Sequence, residues 1–193
     1  MTAPNTRNVA AAQPKVGGGV YWAPLGTALP TDASTTLAGT YTPLGYISDA
    51  GITPSRDTSI DKPKAWGGDT VAALQTDESL SYEWTLIEAF SGDVRKFVHG
   101  EANVTVTPPA TGVGETLAIL DKGGKPDNCV LVFDMKYGAK VRRVILPVAD
   151  NVVSAEAPFS DSELSGFTIT TEALKDSSGV RMYEYTTNDN PLP

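Results

Sequence analysis

One cysteine, Cys129, and one histidine, His99, are all that the 193 residues contain of those two types. A single cysteine forms no intramolecular disulfide and supplies no thiolate cluster. Set in an apolar run, it reads as a small core residue. A single histidine leaves little room for a Ser-His-Asp triad, and no Gly-x-Ser-x-Gly elbow accompanies it. His99 reads instead as a cation or satisfied polar group at a helix end. His99-Gly-Glu101 matches the first half of a zinc deaminase pattern, but the second half needs two cysteines. Gly112-Val-Gly114 lacks the third glycine and the preceding strand of a dinucleotide site, and no Walker sequence is present. Asp77 and Glu78 are neighbours, and neighbouring strand residues point to opposite faces, so they do not converge as a glycosidase pair. No run approaches the roughly 18 apolar residues of a membrane span. The opening Met1-Thr-Ala-Pro-Asn-Thr-Arg-Asn has no apolar leader core, so the protein is expected to stay in the cell that makes it until lysis. Positive charge is also scarce. Fifteen Lys and Arg face 23 Asp and Glu, for a net charge of −8 and a pI of about 4.6. The basic residues are scattered, which argues against tight nucleic-acid binding; an acidic surface would repel DNA. No enzymatic activity, cofactor, metal or membrane partner is expected.

What is present is β-structure with one helix. Residues 1–40 carry Pro4, Pro14, Pro24, Pro30 and the Gly17–Gly19 run. Such a segment either lacks fixed structure or orders against a neighbour. Val20-Tyr21-Trp22 within it reads as an anchor, on another subunit or on its own domain. From Leu44 the chain reads as short strands broken by turn signals. Lys64-Ala-Trp66 meets Gly67-Gly68-Asp69 at a hairpin tip, where an exposed tryptophan suggests a partner. Ser79 to Leu86 alternates, with Leu80, Tyr82, Trp84 and Leu86 on one face. The period then changes: Leu86, Phe90, Val94 and Val98 are four apart, predicting an amphipathic helix over 87–99 that stops at Gly100. Cys129–Tyr137 and Lys140–Val148 flank a two-residue turn at Gly138-Ala139. Two further strands lie in 163–173 and 180–186. Eight to ten strands and one helix predict an antiparallel sandwich or barrel with a helix packed on it.

Three stretches together resemble the major tail tube proteins of long, non-contractile-tailed phages, nearest to phages of actinobacteria. They are Lys64-Ala-Trp-Gly-Gly-Asp-Thr-Val-Ala-Ala-Leu-Gln-Thr, Ser81-Tyr-Glu-Trp-Thr-Leu-Ile-Glu and Val94-Arg-Lys-Phe-Val-His-Gly. Lys15-Val-Gly-Gly-Gly-Val-Tyr-Trp-Ala-Pro and Leu44-Gly-Tyr-Ile-Ser-Asp-Ala-Gly-Ile-Thr-Pro fit the same family. The resemblance implies a sandwich-like β-fold with one flanking helix and extended terminal arms, assembled as hexameric rings stacked into a hollow tube. It also implies a tape measure protein in the lumen, tail terminator and distal tail proteins at the ends, and DNA passing through without specific binding. The protein would be made in the host cytoplasm and end in the virion tail.

On that reading the chain divides into an N-terminal arm (1–40), a tail tube domain (41–179) and a C-terminal strand and arm (180–193). Within the domain, 55–78 forms an inter-ring hairpin loop. Tyr21, Trp22, Lys64, Trp66, Gly67, Gly68 and Asp69 are the expected inter-ring or inter-subunit contacts. Which acids face the bore depends on strand register, because a slip of one residue exchanges the faces. The alternatives are a carbohydrate-binding or adhesion β-sandwich module, with Trp22 or Trp66 as platform, and another ring-forming tail protein such as the distal tail or tail terminator subunit.

Overall fold

A computed structural model describes residues 8–15, 18–158 and 160–188. In chain order the strands are β1 (Gln13–Pro14), β2 (Val20–Pro24), β3 (Thr42–Pro43), β4 (Ile47–Asp61), β5 (Leu74–Leu86), β6 (Val104–Thr107), β7 (Thr116–Ile119), β8 (Cys129–Tyr137), β9 (Lys140–Glu156), β10 (Phe167–Leu174) and β11 (Tyr183–Thr187). Helix α1 (Gly92–His99) lies between β5 and β6. Nine strands form one antiparallel sheet in the order β3-β2-β8-β9-β10-β5-β4, with β1 also on β8 and β11 also on β9. β6 and β7 pair separately.

The large sheet is rolled but not closed. β5 and β8 are three strand steps apart, about 14 Å if the sheet were flat. Yet Trp84 on β5 stands edge-on to Phe133 on β8 with ring centroids 6.1 Å apart, and Tyr82 meets the same ring at 5.4 Å. The two halves therefore face each other across a shared core, giving the antiparallel, sandwich-like fold that the sequence predicts. Helix α1 closes one end, with Phe97 against Trp84 and Trp22. The alternation read in Ser79–Leu86 is real: Leu80, Tyr82, Trp84 and Leu86 are all buried.

A polar chain crosses this core. Trp84 Nε1 donates to Thr171 Oγ1 (3.1 Å), Thr171 donates to Asn151 Oδ1 (2.7 Å), and Asn151 Nδ2 donates to Cys129 Sγ (3.1 Å). These residues come from β5, β10, β9 and β8, so the chain links four adjacent strands and fixes their register. Replacing Thr171 by Val keeps the shape but strands an indole N–H and an amide oxygen, at about 1–3 kcal/mol for each. Urea unfolding of Thr171→Val should show a lower midpoint with an unchanged slope. Burial also pushes the Cys129 thiol up to about 12. It should not react with a disulfide reagent at pH 8 in the native protein and should react fully in denaturant.

Several expected boundaries move. The helix begins at Gly92, not 87, because Leu86 still pairs with Phe167 in the sheet. Residues 87–91 are a connector: Ile87 N–H donates to Tyr46 C=O, and Phe90, expected on the helix's apolar stripe, is exposed. Gly92 sits at the first helical position, where a Cβ would meet Val106 Cγ2 at 3.1 Å. It therefore admits the β6–β7 hairpin close to the helix. Gly100 ends the helix at φ 86 as expected. The Gly138-Ala139 turn joins β8 to β9 with Tyr137 opposite Lys140. β9 then runs well past Val148. Pro147 falls at a bulge where β9 changes neighbour, from β11 (up to Ile145) to β10 (from Val148).

The segment 1–40, expected as an arm, is partly integrated. Its residues 1–7, 16 and 17 lie outside the described residues, as do 189–193 of the C-terminal arm. Val20 and Ala23 are buried, and β2 pairs with β8 from Val20↔Phe133 to Pro24↔Cys129. Residues 25–41 then cover the outer face of β2, β8 and the first half of β9. Tyr41, Val130, Val132 and Ile145 form a second core there with Leu29 and Leu37 against it. β8 is thus buried on both faces, which alternation alone does not reveal.

Candidate assembly interface

The hairpin of β4 and β5 is the longest pairing in the fold, running from Ile52↔Trp84 to Asp61↔Leu74. β4 tolerates Pro54 because it is an edge strand. From Thr53 to Asp77 nearly every residue is exposed, so the outer part projects from the body. Arg56 and Glu78 pair across it at 2.8 Å. At the tip Lys64 bridges Thr70, Ala65 N–H donates to Asp69 C=O (2.8 Å), and Gly68 N–H donates to Ala65 C=O (3.0 Å). Gly67 and Gly68 take φ of 114 and 97, which the turn requires. Trp66 is held up at this tip, fully exposed at 107%. Five of the expected contact residues, Lys64, Trp66, Gly67, Gly68 and Asp69, therefore form one feature.

Tyr21 and Trp22 are elsewhere. They lie on β2, beside the opposite sheet edge, and face opposite sides. Trp22 packs inward, its ring 5.9 Å from Phe97; its Nε1 is buried with no hydrogen-bond partner among the described residues. Tyr21 packs on the second core beside Tyr183 and Tyr185. Burial raises its pKa, with Asp134 adding to the effect. Of the two anchor readings, the single chain realises the one on its own domain.

Beneath the covering segment lies a buried ion pair. Asp134 and Arg143 are cross-strand partners on β8 and β9, 3% and 1% exposed. Arg143 Nε and Nη2 donate to the two carboxylate oxygens at 2.6 and 2.8 Å, and Nη1 donates to Asp32 C=O at 3.0 Å. The Asp32 side chain shapes the loop that carries this carbonyl. Its carboxylate accepts hydrogen bonds from Thr35 and Ser34, which hold it well below the usual carboxylate range. The pair therefore ties residues 25–41 to the sheet.

The other half of the outer face has no such cover. Directly opposed residues share a face, so the register defines its rows. Thr53, Glu83, Thr170 and Val152 form one row; Ser55, Ser81, Glu172 and Asp150 form the next. Thr85 and Thr168 stand beside them with hydroxyls 3.1 Å apart. The face of β9, β10, β5 and β4 is thus a field of hydroxyls with Glu83, Glu172, Asp150 and Asp57. No Lys or Arg projects from these rows; Lys125 reaches Asp150 from the loop before β8. In the sequence, the only signal of this face is the polar half of the alternation, Ser81-Glu83-Thr85 and Thr168-Thr170-Glu172. Register alone joins those segments.

Catalytic features do not gather anywhere among the described residues. No three His, Cys, Asp or Glu of that set are grouped to hold a metal ion. His99 packs edge-on to Phe167 and lies 3.5 Å from Arg95 Nη1. Of the two tryptophans expected for a sugar platform, Trp22 packs inward against Phe97 and Trp66 stands exposed at the hairpin tip. Among the described residues, no helix is long and apolar enough to cross a membrane.

The profile of the family described as "Phage tail tube protein" matches residues 2–193. The chain belongs to the phage tail tube protein family. It is a structural component of the phage tail and so of the virion. No curated protein matches it. Among solved structures, the chain is similar to one titled "Cryo-EM structure of the anti-feeding prophage cap (AFP tube terminating cap)", at 11% identity over 93% of this chain and 96% of that one. The TM-score is 0.39, a likeness too loose to carry an argument. For a tail tube family member the two features above, the projecting hairpin and the bare acidic face, are surfaces that the isolated chain leaves open.

Proposed function

We propose that this chain is the repeating subunit of the tail tube in a long, non-contractile phage tail of the kind found in phages of actinobacteria. Six copies close into a ring and rings stack into a tube, with the β9-β10-β5-β4 face toward the bore. The bare, hydroxyl-rich face with its largely unneutralised carboxylates carries this reading. Phosphates sliding past it meet repulsion and weak hydrogen bonding, so DNA moves through without being held. The edge strands β3 and β4 expose unpaired backbone that a soluble monomer would ordinarily protect; pairing around a closed ring removes it. The β4–β5 hairpin bridges to the next ring, while residues 1–19 and those after Thr187 extend the contacts. A tape measure protein occupies the bore before ejection, and terminator and distal tail proteins cap the two ends. The reading involves no catalysis.

Sedimentation of the purified protein over a hundredfold range of concentration tests assembly. Large species should appear above a threshold concentration, and negative-stain images of them should show rings or tubes with a central hole. A monomer that persists at the highest concentration would contradict the reading.

A further inference from the structure

A third surface lies at the far end of the molecule from Trp66. It is a groove of about 430 Å³ between the end of β2, the end of α1 and the loop entering β8. Trp22, Leu25 and Phe97 give it an apolar floor, and Lys96, Glu101 and Asp127 also line it. The topology fixes its position. β5 starts at the hairpin and runs away from it. β9 is parallel to β5, because each is antiparallel to β10. β8 is antiparallel to β9 and β2 is antiparallel to β8. The start of β8 and the end of β2 therefore point away from the hairpin tip, as does α1, which follows the end of β5.

We propose that this groove is the receptor for the Lys64–Asp69 tip of a second copy, with Trp66 as the inserted side chain. The inference rests on the stacked-ring reading and names the two partners of the axial contact. Three observations join them. The tip carries a fully exposed indole, and such an aromatic is a typical interface anchor when it has an apolar pocket to fill. Trp22, whose side chain lines the groove, also carries a buried Nε1 with no acceptor among the described residues. The carbonyls of Trp66 and Gly67 take no part in the hydrogen bonds that close the tip, so an incoming turn brings free acceptors to the groove wall. Charge also matches: Lys64 and Asp69 flank the indole, and Glu101, Asp127 and Lys96 line the receiving groove. Because tip and groove lie at opposite ends, each copy gives one contact and receives one. A heterologous contact of this kind propagates along an axis instead of closing on itself.

Two exposed substitutions separate the partners. Trp66→Ala removes the tip and leaves the groove; Leu25→Asp, at a residue 54% exposed, spoils the groove and leaves the tip. Each should melt like the wild type, and each should raise the concentration needed for tubes by about tenfold or more while single rings still form. Mixed together, they retain one good junction, so paired rings should appear and tubes should not. Lys64→Glu should weaken stacking, and Glu101→Lys in the same chain should restore part of it; this pair also serves if Leu25→Asp fails to fold. Tubes from both variants at the wild-type threshold would overturn the proposal and leave the tube reading intact. Loss of stacking in Trp66→Ala with normal stacking in Leu25→Asp and Glu101→Lys would show that the tip docks elsewhere. If the wild type forms neither rings nor tubes, the tube reading fails and this inference falls with it.

Discussion

Asp134→Ala should be strongly destabilising to this fold, at about 3–5 kcal/mol. The cost is the charge it leaves behind. Arg143 is 1% exposed, and both of its bonds to Asp134 are shorter than 3 Å. Without the carboxylate, a guanidinium remains buried on the covered sheet face that also carries the apolar Val132 and Ile145. Lys15, 3.6 Å from the same carboxylate, then adds repulsion. A chain of this size shifts by about 2–4 °C per kcal/mol, so the melting temperature should fall by about 6–20 °C. The double substitution Asp134→Leu with Arg143→Met should recover most of the loss, because a well-packed apolar pair can replace a buried ion pair. If the single variant melts within about 2 °C of the wild type, the pair does not hold residues 25–41 to the sheet as described.

The second large effect concerns DNA. Glu83→Lys with Glu172→Lys reverses two of the four acids of the bare face and touches no core contact, since both side chains are exposed. Wild-type assemblies should not retain double-stranded DNA. Assemblies of the variant should bind it, with log K falling steeply as salt rises, because each neutralised phosphate releases counterions. The same two substitutions placed outside the bore would also create a weak DNA site. The discriminating observation is therefore protection: DNA held inside a tube is shielded from nuclease, and DNA on an outer wall is not. Nuclease-sensitive binding would place this face on the outside.

Much of the fold was legible because the signals were local. The Ser79–Leu86 alternation, the Gly138-Ala139 turn and the Gly100 stop are each set by neighbouring residues, and all three stand. What was not legible depends on partners distant in sequence. β4 contains Gly51 and Pro54, which argue against a long strand, yet it lies at an edge where Pro54 costs no ladder bond and a bulge absorbs the register shift before Ile52. The helix pattern over 87–99 was ambiguous because Leu86 belongs to the strand and Ala89 packs into the same core as Val94 and Phe97 without being helical. Tyr21 and Trp22 looked like an anchor because Gly17–Gly19 and Pro24 isolate them; pairing with β8 makes them part of the sheet. The hairpin tip is legible from Trp66 and two glycines alone. The acidic face is not, because Thr53, Glu83, Thr170 and Glu172 come from three strands and meet only through register.

An electron cryomicroscopy reconstruction of assembled tubes tests the central claim most directly. The expected map has six subunits per ring, Glu83, Glu172 and Asp150 lining the bore, and the β4–β5 hairpin crossing to the adjacent ring. A tube with the covering segment 25–41 toward the bore and the β9-β10-β5-β4 face outward, or a protein that forms no tube at all, would contradict it.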